Sequence, residues 1–486
     1  MKVLQVCAEL FPLLKTGGLA DVCGALPAAL RARGCEVRVL LPAFPAVKRG
    51  VADVRPLAEG LPGHLPLPGT RLLQGRLPDG TPCVLVDHPA YEREGNPYAG
   101  ADGLAYADNH LRFAMLGSAA AMLADGLDAS WKPQVVHGHD WHAGLAPAYL
   151  QETSARRGVR LAGSVYTVHN LAFQGLFPLG VVPELGLPGD FFHVQGLEFH
   201  GQVSFMKAGL VYADKVTTVS PTYAQEIQGE EQGCGMDGVT RARAHDLSGI
   251  LNGVDPAVWN PATDSHIAAH YSARDMAGKA RCRTALQAEF GLGDQTAAPL
   301  FGVVSRLTEQ KGMNLVLAGL PDLLQRGAQL VVLGSGDAAL ETALRAAATQ
   351  HPEQVALRLG YDEALAHRIV AGADVIMVPS RFEPCGLTQL YGLAYGSLPL
   401  VRRVGGLADT VVDATLESLD DDLATGMVFD RFERADFVSA LRRAIALYRR
   451  TADWRLVQAR AMAQHFDWDA AAARYLALYE RVATPV

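Results

Sequence analysis

Short apolar runs alternate with longer segments of helical periodicity along the chain. A short apolar run between turn residues predicts a buried strand, whereas apolar positions spaced three and four apart predict an amphipathic helix. We predict strands over residues 2–7, 37–41, 134–137, 164–168, 216–219, 300–304, 329–333, 355–359, 374–378 and 426–429. Between them we predict helices, among them residues 20–33, 108–124, 313–324, 363–371 and 387–398. This regular alternation favours an α/β fold with doubly wound parallel sheets.

The alternation is interrupted near residue 250 and then starts again. Turn residues cluster in the sequence I-L-N-G-V-D, and Pro256 and Pro261 follow it. A composition of this kind marks a boundary between domains. We therefore predict two domains and a final helix, over residues 1–250, 251–465 and 466–486.

Three further segments depart from the simple alternation. Residues 54–86 alternate short apolar runs with proline and glycine turns, which predicts a β insertion. Residues 229–238 are rich in glycine and polar residues, which predicts a mobile loop. The final helix carries a row of large and small apolar side chains on one face, as in a tail that covers a domain. That row consists of Trp468, Ala472, Tyr475 and Tyr479.

The charge and the cysteine content exclude several classes of protein. A chain of 486 residues is too long for one ordinary core. A formal net charge of −8 argues against a nucleic-acid binder, which usually carries a basic face. The seven cysteines are scattered and form no C-x-x-C pair, which predicts reduced thiols and a cytoplasmic protein. Glu9 comes too early for a signal peptide, and no apolar run has the length of a membrane helix.

The ten residues 380–389, S-R-F-E-P-C-G-L-T-Q, join a predicted strand to a predicted helix. Such a turn lies at the carboxyl edge of a parallel sheet, where α/β folds bind ligands. The start of the helix offers free backbone amides and the positive end of the helix dipole, which suit an anion such as a diphosphate. These amides belong to Gly386, Leu387 and Thr388. One carboxylate beside an anion site, Glu383, suggests a reaction in which phosphate leaves a carbon that becomes cationic.

A similar strand, glycine turn and helix open the chain, with K-T-G-G-L-A-D over residues 15–21. Without context, the pair Gly17 and Gly18 is as consistent with a tight turn as with a phosphate contact. Lys15 favours the phosphate contact, because an ammonium group just before the turn supplies a point charge for a phosphate or a hydroxyl. The alternative for Lys15 is an ordinary solvated lysine.

Two strands of the first domain end in polar clusters. The sequence H-G-H-D-W-H-A-G occupies residues 137–144, and a later strand ends at His169 and Asn170. A metal site is the less favoured interpretation, because the histidines are not an i, i+4 helical pair and no cysteine is close. The repetition favours recognition of a hydroxyl-rich ligand. Tyr98, in the turn-rich loop 92–103, is either a packing residue or a platform for a sugar ring.

Several motifs follow one another in an order that is characteristic of one glycosyltransferase family. They are K-T-G-G-L-A-D, H-D-W-H-A-G, Y-T-V-H-N, S-R-L-T-E-Q-K-G, G-Y-D-E, S-R-F-E-P-C-G-L-T-Q-L-Y-G and V-R-R-V-G-G-L-A-D-T-V. In these motifs the chain resembles the ADP-glucose-dependent glycogen and starch synthases. The resemblance covers the whole chain, although the β insertion and the loop 229–238 add nothing to it.

The resemblance implies a GT-B architecture, in which two Rossmann-like doubly wound domains face each other across a cleft and the C-terminal helix crosses back to the first domain. The first domain would then be the acceptor and catalytic domain, and the second would bind the nucleotide sugar. The implied reaction moves glucose from ADP-glucose to the non-reducing 4-hydroxyl of an α-1,4-glucan such as glycogen, with the anomeric configuration retained. No cofactor, metal, nucleic acid or membrane is implied, and the oligomeric state stays open.

The resemblance also assigns roles to individual residues. Arg306 and Lys311 match the pair that binds the diphosphate, and Glu383 matches the carboxylate of the cleft. With His169, which is expected to orient the sugar, they form the predicted catalytic set. The other implied donor contacts are Lys15, Gly17, Gly18, Tyr361 (against the base), Cys385, Gly386, Leu387 and Thr388. The implied sugar and acceptor contacts are Asp21, Tyr98, Asp140, Trp141, His169 and Asn170.

The chemistry of these side chains agrees with the implied reaction. Arg306 can fork onto phosphate oxygens and Lys311 adds a point charge, so a leaving diphosphate needs no divalent metal. We expect Glu383 to steady a cationic sugar and not to attack it, because no second carboxylate lies in its motif. Three alternatives stay open: another retaining GT-B transferase such as a sucrose synthase or a UDP-glucose enzyme, a phosphorylase with pyridoxal phosphate, and a non-catalytic glucan-binding protein.

Overall fold

The computed structural model describes residues 1–59, 61, 65–294 and 297–484. Residues 60 and 62–64, which belong to the predicted β insertion, lie outside the described residues. The chain forms two compact units. The first consists of residues 1–253 together with the C-terminal segment that begins at Trp468, and the second consists of residues 254–467.

Residues 1–253 contain strands β1 to β12 and helices α1 to α7. The strands are β1 (Lys2–Val6), β2 (Glu36–Pro42), β3 (Ala52–Ala58), β4 (Arg71–Arg76), β5 (Pro82–Asp87), β6 (Val135–His139), β7 (Gly163–Val168), β8 (Leu176–Pro178), β9 (Glu198–Phe199), β10 (Gln202–Ser204), β11 (Lys215–Thr218) and β12 (Leu247–Gly249). The helices are α1 (Gly18–Ala32), α2 (Pro45–Gly50), α3 (Asn109–Ala124), α4 (Ala146–Arg157), α5 (Phe205–Tyr212), α6 (Pro221–Glu226) and α7 (Asp237–Ala242).

The rest of the chain contains strands β13 to β18 and helices α8 to α17. The strands are β13 (Leu300–Val304), β14 (Gln329–Gly334), β15 (Val355–Leu359), β16 (Val375–Val378), β17 (Leu398–Arg402) and β18 (Met427–Phe429). The helices are α8 (Ala277–Phe290), α9 (Met313–Gln325), α10 (Ala338–Gln350), α11 (Glu363–Gly372), α12 (Thr388–Ala394), α13 (Gly405–Thr410), α14 (Leu416–Asp420), α15 (Arg434–Arg449), α16 (Thr451–Met462) and α17 (Trp468–Val482).

The first unit is built on a sheet with the strand order β12-β11-β7-β6-β1-β2-β5-β4-β3. All neighbours from β12 to β5 are parallel. β4 is antiparallel to both β5 and β3, so the strands of the predicted β insertion extend one edge of the sheet. β8, β10 and β9 form a small separate antiparallel sheet.

Helices cover both faces of this sheet, which explains why its parallel strands are apolar at nearly every position. In β1, Val3 packs with α1 and α17, whereas Leu4 and Val6 belong to the core that includes α3. The predicted apolar row on α17 is buried in the same core as Val3. The C-terminal helix therefore forms part of the first unit.

The second unit contains a parallel sheet with the strand order β15-β14-β13-β16-β17-β18. One core includes α9 and α15 on one face, and another includes α8 and α11 on the other face. The prediction of doubly wound parallel sheets is thus confirmed for both units. Among the described residues, no helix combines the length and the hydrophobicity that a bilayer crossing needs.

The prediction of one helix over residues 387–398 is wrong. α12 ends at Ala394, because Gly396 adopts a left-handed backbone conformation with φ 63° that ends the helix. Leu398 then begins β17, which pairs with β16 on one side and β18 on the other. Pro399 lies inside this strand and does not end the helix.

Candidate active site

The residues predicted to contact the diphosphate follow two adjacent strands of the second unit. The winding of the sheet reverses between β13 and β16, and open α/β sheets bind ligands outside the carboxyl ends of the strands at such a point. Arg306 and Lys311 lie in the loop after β13, and Glu383 lies in the loop after β16. The backbone N–H of Arg381 donates to the Gln310 carbonyl at 2.8 Å, which ties the two loops together.

The Glu383 carboxylate is buried, and both of its oxygens have partners. Lys311 Nζ lies 2.9 Å from Oε1 and 2.6 Å from Oε2. Ser380 Oγ donates to Oε2 at 2.8 Å. A buried carboxylate is costly unless it is paired and hydrogen-bonded. The ammonium and the hydroxyl therefore compensate its burial and fix its orientation.

Two glycines support the turn that carries Glu383. The N–H of Gly406 lies 3.3 Å from the Glu383 carbonyl and 3.1 Å from the Pro384 carbonyl. A Cβ atom would lie 1.9 Å from the Glu383 oxygen if it were added to Gly405, and 2.2 Å from the Cys385 oxygen if it were added to Gly406. The motif V-R-R-V-G-G thus needs glycine because another backbone segment approaches it closely.

The turn between Glu383 and α12 borders a small polar cavity. Gly386 has φ 75°, and the side-chain amide of Gln389 donates to the carbonyls of Cys385 at 3.0 Å and Gly386 at 2.9 Å. The cavity has a volume of about 40 Å³. Among the residues that line it are Ser305, Lys311, Ser380, Glu383, Gly386, Leu387 and Thr388. One cation, one carboxylate and the start of a helix therefore meet at one point of the second unit.

The other two predicted donor contacts of the second unit are exposed. Arg306 lies at the surface, and its Nη2 donates to Gln310 Oε1 at 3.2 Å. Tyr361 is 66% exposed and follows Gly360, which has φ 101°. Both side chains follow strands of the same parallel sheet, so they lie at the edge where the predicted diphosphate site is found.

The first unit has a winding reversal of its own, between β1 and β6. Lys15 lies in the turn after β1, and its Nζ pairs with Asp21 Oδ1 at 2.9 Å. Gly17 precedes α1 with an extended backbone, and Gly18 is the first residue of the helix. Both glycines are exposed. The structure therefore brings the predicted lysine, aspartate and glycine turn together at the amino end of one helix.

Glu9 is a buried residue of this turn that is not among the predicted site residues. Its carboxylate accepts hydrogen bonds from the Thr16 N–H at 2.5 Å and the Thr16 hydroxyl at 2.6 Å. The Tyr98 hydroxyl also donates to it. Glu9 thus links the turn after β1 to the loop that carries Tyr98. The nearest signal in the sequence was a charged residue shortly after an apolar strand.

Asp140 follows β6 in a backbone conformation, φ 57° and ψ −177°, that few residues other than glycine adopt. Its Oδ1 accepts from the backbone N–H of His169 at 2.8 Å and that of Asn170 at 3.4 Å. Burial raises the pKa of the carboxyl to about 7, although the bonds from these two amides oppose the shift. Asp140 therefore fixes the polar end of β7, and strained backbone of this kind is concentrated at functional sites.

Trp141 and Tyr98 belong to one aromatic cluster. The Tyr98 ring stacks on His142 with the centroids 4.5 Å apart, and Trp141 lies 6.1 Å from Tyr98 and 4.8 Å from Phe113. Trp141 and Tyr98 are both half-buried. Tyr98 therefore makes the packing contacts that were one of its two predicted roles.

The histidines of this region are held by hydrogen bonds or by aromatic rings. Among the described residues, no group of three or more histidine, cysteine, aspartate or glutamate side chains is arranged to hold a metal ion. Both ring nitrogens of His137 bond to protein hydroxyls, at 2.7 Å to Tyr479 and 2.6 Å to Thr167. Burial lowers the pKa of His137 and of His169 to about 3, so both rings are neutral at neutral pH.

The family comparisons cover most of the chain. The family described as starch synthase catalytic domain matches residues 2–242, and the family described as glycosyl transferases group 1 matches residues 288–456. A glycogen synthase of Leptothrix cholodnii is 61% identical over 99% of this chain and 100% of its own. A glycogen synthase of Variovorax paradoxus is 57% identical over 99% of both chains.

Solved structures support the same assignment. The catalytic domain of starch synthase IV from Arabidopsis thaliana, bound to ADP and acarbose, is 31% identical over 99% of both chains, with a TM-score of 0.89. A sucrose-phosphate synthase from Thermosynechococcus elongatus is 18% identical, with a TM-score of 0.58, and shares only the fold. These matches confirm the GT-B fold class. The chain therefore belongs to the glycogen and starch synthase family of glycosyltransferases.

Proposed function

We propose that the chain transfers glucose from ADP-glucose to the non-reducing 4-hydroxyl of an α-1,4-glucan, with retention of the anomeric configuration. The observation that carries the proposal is the pairing of Lys311 with both oxygens of buried Glu383 at the winding reversal of the second sheet. The name of the relatives, glycogen synthase, supports a glucan as acceptor. The starch synthase bound to ADP supports the nucleotide.

The second unit is proposed to stabilise the leaving group. When the bond between the sugar C1 and the phosphate oxygen breaks, negative charge develops on ADP and positive charge on the sugar ring. Arg306 would fork onto phosphate oxygens, and Lys311 would add a compact charge beside them. Residues 386–388 line the same cavity, and their backbone amides are proposed to donate to the phosphate oxygens. Preorganised charges of this kind supply the stabilisation that a divalent metal would otherwise give, so the proposed reaction is independent of a metal.

Glu383 is proposed to hold sugar hydroxyls and to steady the cationic ring. A covalent glycosyl intermediate normally needs a second carboxyl group as acid and base at about 5 Å. The hydrogen-bond partners of Glu383 among the described residues are instead an ammonium and a hydroxyl, from Lys311 and Ser380. The acceptor proton would pass to the departing phosphate oxygen, on the face from which the acceptor attacks. That route retains the configuration at C1.

The first unit is proposed to bind the donor sugar and the acceptor. Lys15 and the turn of Gly17 and Gly18 would contact the donor, and Asp21 lies within reach of Lys15. His169 would orient the sugar, next to Asn170 and Asp140. Trp141 and Tyr98 would contact the glucan with their half-buried aromatic side chains.

The second unit would also hold the nucleotide, with Tyr361 against the base and Cys385 within the diphosphate turn. We propose the predicted segments 1–250, 251–465 and 466–486 as the functional domains. Within the described residues, no cysteine forms a disulfide, which supports a cytoplasmic location.

The experiment that tests this function supplies purified protein and glycogen with ADP-glucose or UDP-glucose, with and without a chelator, and measures glucan growth. Growth should be faster with ADP-glucose and unchanged by the chelator. Faster growth with UDP-glucose would favour another retaining transferase. Phosphate-dependent glucan breakdown with visible absorption of pyridoxal phosphate would indicate a phosphorylase. Glycogen binding without any growth would indicate a non-catalytic glucan-binding protein.

A further inference from the structure

A continuous chain of buried polar side chains runs from His169 to the C-terminal helix. His169 Nε2 lies 3.0 Å from His139 Nδ1, and His139 Nε2 lies 2.6 Å from Gln5 Oε1. Gln5 Nε2 donates to the Tyr479 hydroxyl at 2.9 Å. Tyr479 lies 2.7 Å from His137 Nδ1. Four elements of the first unit, β1, β6, the end of β7 and α17, therefore contribute to one network that ends at a predicted catalytic residue.

The orientation of the Gln5 side-chain amide sets the direction of the hydrogen bonds in this chain. Burial lowers the pKa of His169 to about 3 and that of His139 well below its usual value, so each ring is neutral and has one donor and one acceptor nitrogen. Gln5 Oε1 can only accept, so His139 donates from Nε2 and accepts at Nδ1. His169 must then donate from Nε2. Its Nδ1 is left as an acceptor, and it has no hydrogen-bond partner among the described residues.

Tyr479 is the hydrogen-bond partner of the Gln5 amide in this orientation. Its hydroxyl accepts from Gln5 Nε2 and can give its single proton to His137 Nδ1. His137 then donates from Nε2 to the Thr167 hydroxyl. Every donor of this network finds one acceptor, and a buried network that is fully satisfied in this way is rigid.

We propose that Gln5 and Tyr479 are positioning residues that fix His169 in the tautomer protonated on Nε2, with Nδ1 as the acceptor for a hydroxyl of the bound sugar. The proposal rests on the proposed function only for the identity of that ligand. It gives the C-terminal helix a role in the reaction, because Tyr479 acts on His169 through Gln5 and His139 without touching the substrate. Packing alone would be served equally well by an apolar side chain at each of these buried positions.

The test compares Tyr479→Phe with Tyr149→Phe. Tyr149 is also buried in the first unit, and its hydroxyl donates to the Leu185 carbonyl outside this chain of side chains. Long-range proton–nitrogen spectra of protein labelled with 15N-histidine distinguish protonated from unprotonated ring nitrogens. Loss of one signal in His169→Gln assigns the ring. Labelled ADP-glucose and glycogen give kcat and KM for the same samples.

In the unmodified protein we expect His169 to be protonated on Nε2. In Tyr479→Phe the amide of Gln5 loses its fixed direction, so we expect a mixture of tautomers and a kcat lower by about tenfold, with KM for glycogen unchanged. Tyr149→Phe should change neither. If Tyr479→Phe does not fold, Gln5→Met should give the same spectral change.

Protonation of His169 on Nδ1 in the unmodified protein would overturn the proposal, as would an unchanged tautomer and kcat in Tyr479→Phe. The tautomer is measured without turnover, so it separates this proposal from the proposed function. A protein with the expected tautomer and no glucan synthesis would support the positioning network and contradict the proposed reaction.

Discussion

Lys311 Nζ lies 2.6 Å from Glu383 Oε2, so the ammonium proposed to meet the leaving diphosphate already holds the carboxylate proposed to steady the sugar. The two groups come from loops after adjacent strands, β13 and β16. Their ion pair is therefore set by the register of the parallel sheet and does not depend on a ligand. A bound diphosphate would compete with Glu383 for Lys311. Charge on the leaving group would therefore weaken the ion pair and leave the Glu383 carboxylate able to interact with the sugar.

Replacing Lys311 by methionine tests this coupling. The Glu383 carboxylate would remain buried, with the Ser380 hydroxyl as its remaining hydrogen-bond partner among the described residues, and the free energy of unfolding should fall by about 1–3 kcal/mol. This range lies below the usual cost of breaking a fully buried ion pair, because the Lys311 side chain retains 19% exposure. Turnover should fall by about a hundredfold or more. Urea unfolding and the labelled ADP-glucose assay measure the two effects.

The control for Lys311→Met is Arg368→Met. Arg368 pairs with Glu289, and both side chains are about one third exposed. Loss of this pair should cost less than about 1 kcal/mol and leave turnover unchanged. Equal effects of the two substitutions would show that the buried pair has no special role.

A methyl group at Gly406 should displace the turn that carries Glu383. The new Cβ would lie 2.2 Å from the Cys385 carbonyl oxygen and 2.5 Å from its Cα, and backbone cannot yield cheaply. We expect Gly406→Ala to lose about 2 kcal/mol or more of stability and most of its activity. Gly238→Ala is the matched control, because Gly238 lies within α7 and has open space around it. Gly238→Ala should leave the free energy of unfolding unchanged or raise it slightly.

Stability should fall as the pH is lowered below about 6.5. The folded-state pKa of His137 and of His169 is lowered to about 3, so the unfolded chain binds protons that the folded chain rejects. Each such histidine lowers the free energy of unfolding by about 1.4 kcal/mol for every pH unit that the pH falls between its unfolded-state and folded-state pKa. Between pH 6 and pH 4, the free energy of unfolding should fall less steeply with decreasing pH in His169→Gln than in the unmodified protein. The difference in slope should be about 1.4 kcal/mol per pH unit. Parallel curves would contradict the burial argument for His169.

Asp140 should have the opposite effect. Its folded-state pKa is raised by burial to about 7 from an unfolded value of 3.8, so the folded chain holds a proton that the unfolded chain has lost. Stability is therefore lost as the pH rises from about 4 to about 7, by up to about 4 kcal/mol. Asp140→Asn should remove this loss, so its stability relative to the unmodified protein should be greater at pH 8 than at pH 4. Denaturant unfolding at both values measures the difference.

The sequence predicted most strands of the two parallel sheets because burial on both faces makes them continuous apolar runs. β17 was missed because Pro399, three residues after Gly396, resembled a helix stop. A proline inside a strand between two others is unusual, and only the pairing of Leu398 to Arg402 with its neighbours reveals it. Pairing with β16 and β18 therefore made residues 398–402 a strand, although the local sequence favoured the end of a helix.

The motifs predicted which residues of each unit lie near one another, but not what holds them there. Ser380 is the first residue of the motif at residues 380–389, yet its hydrogen bond to Glu383 was not predicted. The spacing of residues in a motif does not reveal the orientation of a serine side chain. Glu9 and Tyr98 are 89 positions apart, and only the folded sheet brings them together. Gln5 and Tyr479 are separated by 474 positions, so the network that reaches His169 has no local signature at all.

The central claim is that Glu383 stabilises the electron-poor sugar while cations beside it receive the diphosphate. Glu383→Gln keeps the shape of the side chain and removes its charge, and Glu289→Gln is the control at an ordinary ion pair. The direct measurement is incorporation of label from ADP-glucose into glycogen. We predict a fall in kcat of about a hundredfold to a thousandfold for Glu383→Gln and no change for the control. A kcat for Glu383→Gln close to that of the unmodified enzyme would contradict the mechanism.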